Sequence, residues 1–161
     1  MGGMAFFARL LRIAPAAPEG PLVRAERAQR AGDFATAERC YAEALDAACS
    51  DRERSIVHNR RGLLELARGD TTAADAAWAT ALAVYPACVP ALVNSANRLL
   101  EAGDLRAAIE RYESATRLDP DYPEAHHNLG VAYKRAGRRR EAVRELRRAT
   151  GLERRRKNAA W

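Results

Sequence analysis

The chain repeats itself. A short loop motif recurs as Ala31-Gly32-Asp33, Arg68-Gly69-Asp70, Ala102-Gly103-Asp104 and Ala136-Gly137-Arg138, with its glycines 37, 34 and 34 residues apart. A fixed period in this range is the mark of a stacked array, because one short unit cannot bury its own apolar face and must lay it against a neighbour. This constraint outranks any single-residue motif. It limits the chain to a quasi-linear architecture whose units share a common internal plan.

The plan is cleanest from Val89 to Tyr122. With Gly103 taken as position 15, position 8 is Ala25, Gly62, Ala96 and Gly130, and position 20 is Ala37, Ala74, Ala108 and Ala142. Position 24 is Tyr41, Trp78, Tyr112 and Leu146; position 27 is Ala44, Ala81, Ala115 and Ala149. Small residues at 8, 20 and 27 let two helices approach closely, since side-chain size at the contact sets their separation. The large residue at 24 fills the space around that contact. Glycine at 15 supplies a turn with positive φ at no steric cost. Asp33, Asp70 and Asp104 follow it, placed to cap the next helix. Pro86 and Pro120 stop the second helix of the middle units.

This pattern resembles the tetratricopeptide repeat, a helix–turn–helix unit of 34 residues. The resemblance covers residues 18–154 as four units, 18–51, 55–88, 89–122 and 123–154. It implies an all-α fold, an α-solenoid stacked as a right-handed superhelix. The spacing predicts helices near 21–31 and 34–47, 54–68 and 71–85, 90–102 and 105–118, and 123–136 and 139–156. The units depart from the family at Arg61 and Ser95, where leucine is usual, and at Glu65, where tyrosine is usual. Three residues stand in excess between units one and two.

Charge is divided along the chain. Residues 1–133 carry 15 basic and 18 acidic side chains, whereas residues 134–161 carry 12 basic and 3 acidic. The last helix is expected to overrun its unit, with residues 155–161 as a basic tail. A polar terminal helix shields the last apolar face of an array; clustered arginine is also a footprint for phosphate-rich or acidic partners. Both readings stand. Nucleic acid is disfavoured, because no aromatic is interleaved with the arginines until Trp161.

At the other end, residues 1–17 place Phe6, Phe7, Leu10 and Leu11 on one face of an amphipathic segment. It is expected to cover unit one; a peripheral membrane contact, a disordered tail or an organelle-targeting segment are the alternatives. Arg9 and Arg12 interrupt any apolar core, so a cleaved secretory signal is not expected, and localisation is expected to be cytoplasmic. Cys40, Cys49 and Cys88 form neither an even set nor a metal-like spacing, which reads as free thiols in a reducing compartment. Cys40 is expected to be a small buried hydrophobe. The Ala- and Arg-rich composition hints at a bacterial source.

No catalytic constellation is legible, and neither a cofactor nor a metal is expected. His58 and His126 hold equivalent positions two units apart, about 20 Å or more by helix spacing. The adjacent His126 and His127 point to different faces of a helix.

Function is therefore expected to be noncovalent. The resemblance implies that a partner's extended or helical peptide lies in a concave groove lined by first helices. The groove residues it implies are Asn59, Arg60 and Leu63 in unit two, Val93, Asn94 and Asn97 in unit three, and His127, Asn128, Val131, Lys134 and Arg135 in unit four. Asn94 and Asn128 occupy the same position, and an amide both donates to and accepts from a peptide backbone whatever its sequence. The lysine-and-asparagine clamp of chaperone-binding relatives is absent, since Leu22 and Glu26 stand at those positions of unit one. Lys134, Arg135 and His127 at one end, with Glu19 and Glu26 at the other, point to a peptide whose acidic part lies near unit four. The alternative is a basic last helix that docks an acidic protein, a lipid surface or nucleic acid.

Overall fold

The computed structural model describes residues 19–159. The amphipathic segment 1–17 and Trp161 lie outside the described residues. Eight helices occupy the described chain: α1 (Pro21–Arg30), α2 (Phe34–Ala47), α3 (Asp51–Ala67), α4 (Thr71–Val84), α5 (Val89–Glu101), α6 (Leu105–Leu118), α7 (Pro123–Arg135) and α8 (Arg139–Ala159). They pair as antiparallel hairpins, α1 with α2 through α7 with α8, and the hairpins stack in order. The all-α solenoid expected from the repeat is what forms.

The same turn closes each hairpin. Gly32, Gly69, Gly103 and Gly137 take φ of 78°, 86°, 86° and 77°, and the amide after each returns to a carbonyl five residues back, as in Asp104 N to Leu99 O at 2.9 Å. This satisfies carbonyls that the helix end leaves open. Asp33, Asp70 and Asp104 then accept from the amides of Thr36, Ala73 and Ala107 at 3.0, 2.8 and 3.0 Å. Unit four lacks the aspartate. Arg138 stands there instead, its guanidinium 4.2 Å from the Tyr133 ring centroid and 2.7 Å from Glu141.

The repeat plan accounts for the core. Ala37, Ala74, Ala108, Tyr41, Trp78 and Tyr112 are all at or within 1 % of full burial. Cys40 is buried among them, as a small hydrophobe should be. Ser95, one of the departures from the family pattern, is buried too. Its hydroxyl is satisfied by the Leu92 carbonyl at 3.0 Å.

Two boundaries differ from the sequence reading. α3 begins at Asp51, not Arg54. Ser50 caps it, accepting from Glu53 N at 3.2 Å, while the Glu53 carboxylate accepts from Ser50 N at 3.1 Å and Cys49 N at 2.7 Å. This reciprocal capping box turns the three excess residues into an added helical turn, so they lengthen α3 instead of the connection. α8 runs on to Ala159, past residue 156 and into the basic tail expected to extend it, because no proline follows the last unit to stop it.

Candidate functional site: the face of the first helices

The stack bends one way. α1 touches α3, α3 touches α5 and α5 touches α7, whereas no second helix of the described chain touches the next second helix. Helices that crowd on one side and splay on the other put α1, α3, α5 and α7 along the inner surface. Such an inner face is the extended surface that solenoids offer to ligands.

Amides and hydroxyls lie along this surface in a row of separate hydrogen-bonded groups. Asn94 donates through Nδ2 to Asn59 Oδ1 at 2.8 Å, and Asn128 donates to Asn97 Oδ1 at 2.9 Å. Asn97 Oδ1 also accepts from the Tyr112 hydroxyl at 2.5 Å. Burial holds the Tyr112 phenol protonated by pushing its pKa well above the ordinary value, with Glu101 adding to the effect. In unit one the Tyr41 hydroxyl donates to Gln29 Oε1 at 2.8 Å, and burial, followed by Glu26, raises its pKa to about 12. These bonds fix how each asparagine is turned. Asn94 and Asn128 spend a donor and keep their side-chain carbonyls; Asn59 and Asn97 spend a carbonyl and keep their NH2 donors.

The sequence-derived residues fall into three groups. Asn94, Asn97, Asn128, Leu63 and Val131 are half-buried along the row, and Arg60, His127, Lys134 and Arg135 are exposed beside it. Asn59 and Val93 are 4 % and 5 % exposed. The expectation that these two line the surface is corrected: adjacent first helices pack over that position, and Asn59 acts there by orienting Asn94. Tyr112, whose hydroxyl joins the Asn97–Asn128 pair, is not among the expected residues. The signal for Tyr112 was its core position, which conceals that its hydroxyl emerges on the inner face.

The expected charge gradient is also altered. Glu26 is paired with Arg60 at 3.0 Å and Glu19 with Arg27 at 2.8 Å. The unit-one acids are thus spent on the protein's own arginines. At the other end Lys134 forms no ion pair among the described residues, and Arg135 reaches only the Leu100 carbonyl at 3.4 Å.

His126 lies below this surface, in the joint between α7 and α8. Its Nδ1 is 2.8 Å from Glu145 Oε2 and its Nε2 is 3.0 Å from the Pro120 carbonyl, which ties α8 to the start of α7. Burial pushes the Glu145 carboxyl up, but hydrogen bonds from His126 and Arg144 outweigh that and hold it below the ordinary 4.5. A folded-state pKa below the unfolded one adds stability that is full above the unfolded value and drains as pH falls through the folded value. Glu145→Gln is therefore expected to lose about 2 kcal/mol at neutral pH. The deficit should shrink on acidification below the ordinary carboxyl value, as urea unfolding at the two pH values would read. A deficit independent of pH would contradict the assignment.

Comparison with known proteins places these features together. Profiles described as tetratricopeptide repeat match residues 22–91 and 123–156, and one described as TPR repeat matches residues 96–137. Among solved structures, MamA superposes with a TM-score of 0.67 at 22 % identity, covering 96 % of this chain and 88 % of that one. The second TPR of Spaghetti (RPAP3) bound to the HSP90 peptide SRMEEVD gives 0.59 at 22 % identity, covering 63 % of this chain and 94 % of that one. A tetratricopeptide repeat protein from Parabacteroides merdae gives 0.65 at 18 % identity, with 80 % of this chain and 50 % of that one covered.

Proposed function

Because this chain belongs to the tetratricopeptide repeat family, whose fold is a protein-interaction scaffold, we propose that it is an adaptor holding a partner's peptide segment along the inner face of α1, α3, α5 and α7. The observation that carries the reading is the row of oriented amides, Asn59–Asn94 and Asn97–Asn128. The half-buried Asn94 and Asn128 keep their carbonyls and Asn97 keeps its NH2 donors, so the face offers both kinds of partner to the N–H and C=O groups of an extended backbone. A neighbour of the same fold is seen with a peptide bound, the RPAP3 repeat with SRMEEVD, which supports a peptide as the class of ligand. Lys134 and Arg135, with no acid of their own, favour the acidic part of that peptide near unit four. No catalytic role enters this reading; the residues of the row are hydrogen-bonding groups.

The test is affinity capture at moderate salt, followed by titration of the captured partner's peptide against the wild type and Asn94→Ala/Asn128→Ala. Two hydrogen bonds of about 1 kcal/mol each predict a loss of about tenfold or more in affinity, with helicity unchanged by circular dichroism. Equal binding by the two proteins would remove the amide row from the function. Charge reversal at Lys134 and Arg135 without effect would remove the orientation.

A further inference from the structure

The basic residues of α8, together with Arg138 just before it, divide into two sets. Arg138, Arg144, Arg148 and Arg156 pair with Glu141, Glu145, Asp121 and Glu124 at 2.7, 2.9, 3.3 and 3.2 Å. Arg139, Arg140, Arg147, Arg154, Arg155 and Lys157 form no ion pair among the described residues. Arg140, Arg147 and Arg154 recur every seven residues and so share one helical face. Val143, 48 % exposed, lies beside that row, between the turns of Arg140 and Arg147. The first set holds the last hairpin together. The second set faces outward from the end of the stack.

The period shows what that face corresponds to. Adding 34 residues carries Ile109 to Val143 and Glu113 to Arg147. Ile109 is buried, and Glu113 accepts from the Tyr133 hydroxyl of the next repeat at 2.6 Å. The earlier joints use the same face of the second helix: Glu38 meets Arg68 at 3.2 Å and Asp75 meets Arg98 at 3.6 Å. At every internal joint an acid on the second helix meets a donor on the incoming first helix or, for Arg68, at its C-cap. On α8 the two equivalent positions hold Val143 and Arg147, so the polarity of the joint is inverted.

We propose that this end face of α8 docks an acidic amphipathic helix of another protein, seated where a fifth first helix would lie. The partner helix sets an apolar stripe on Val143, Leu146 and Thr150, and its flanking carboxylates meet Arg140, Arg147 and Arg154. Charge disfavours the occupants this chain could supply, even with Arg24 and Arg27 paired to Glu43 and Glu19. Head-to-tail stacking of a second copy would bring α1, with Arg24, Arg27 and Arg30 against Glu26, onto arginine. Residues 1–18 carry Arg9 and Arg12 and no acid. This surface is distinct from the inner face and stands or falls apart from it.

The test uses the full chain and a fluorescein-labelled synthetic peptide of about four turns, with leucines at helical spacing flanked by glutamates. Its glutamine counterpart, phosphatidylserine vesicles and duplex DNA are run alongside. The acidic peptide is expected to bind and gain helicity, and to weaken with salt. Affinity should fall about tenfold in Arg140→Gln/Arg147→Gln/Arg154→Gln and stay unchanged in Asn94→Ala/Asn128→Ala. If the triple variant loses helicity, the single change Val143→Glu on the same face takes its place and should show the same loss. No binding, equal binding by the glutamine peptide or by the variants, loss in the asparagine variant instead, or stronger competition by vesicles or DNA would each overturn the proposal.

Discussion

Trp78→Ala is expected to destabilise the array by about 4 kcal/mol, the range for emptying the site of a fully buried large aromatic. Trp78 is 1 % exposed and is packed with Ala74, Ala81, Cys88 and Ala91. The small residues that let the helices close around the indole have no side chains long enough to fill its place. Its indole N–H also donates to the Asn59 carbonyl at 3.2 Å, so the cavity opens beneath the residue that orients Asn94. Against a total stability of about 5–15 kcal/mol the loss is large. In a stack whose units contact only their neighbours it falls on unit two and its two joints, which separates unit one from units three and four. Urea unfolding followed by circular dichroism should show a lowered midpoint and a broadened or split transition. A loss below about 1 kcal/mol would mean the neighbours collapse into the space, contrary to the packing described.

Gly62→Ala tests the same contact from the other side. An added methyl would meet the Trp78 ring at Nε1, with Cε2 at 2.7 Å and Cδ1 at 2.8 Å. The ring is buried and tethered by its N–H, so it has nowhere to move. Alanine gains about 1 kcal/mol of helix propensity over glycine; overpacking a rigid core costs about 1–3 kcal/mol or more. The clash is expected to win, with a net loss of about 2 kcal/mol. Gly130 is the internal comparison. There an added methyl meets Leu146 Cγ at 2.7 Å, Cδ2 at 3.0 Å and the Ala142 carbonyl oxygen at 3.2 Å; the half-buried Leu146 can change rotamer, and the carbonyl contact asks only for a small shift. Gly130→Ala should therefore cost less than Gly62→Ala, and thermal melts of the two variants would give the order. The reverse order would place the rigid contact in unit four.

Much of this was legible in the chain before any coordinates, because a repeat reports its own geometry. Four glycines at a near-constant interval, an aspartate after three of them and alanines at 20 and 27 specify turn, cap and close approach by local sterics alone. Asp33, Asp70 and Asp104 cap as read, and Ala37, Tyr41, Ala74, Trp78, Ala108 and Tyr112 are buried as read. The local rule that was overlooked was also in the sequence: Ser50 with Glu53 three residues on is a capping box, and it moved the start of α3 to Asp51.

The sequence by itself determined the hairpin, its period and its core, since these follow from spacings within one unit and between neighbours. Only the tertiary structure decided how the inner face is wired. Asn59 and Asn94 are 35 residues apart and Asn97 and Asn128 are 31 apart, and no single-unit pattern says which amide of a pair gives its donor. The structure likewise decided that Glu26 is spent on Arg60 and that Arg138 and three arginines of α8 are spent on acids while others are not. Charge pairing depends on which side chains the stacking brings within about 4 Å, and that distance is set by how whole hairpins meet.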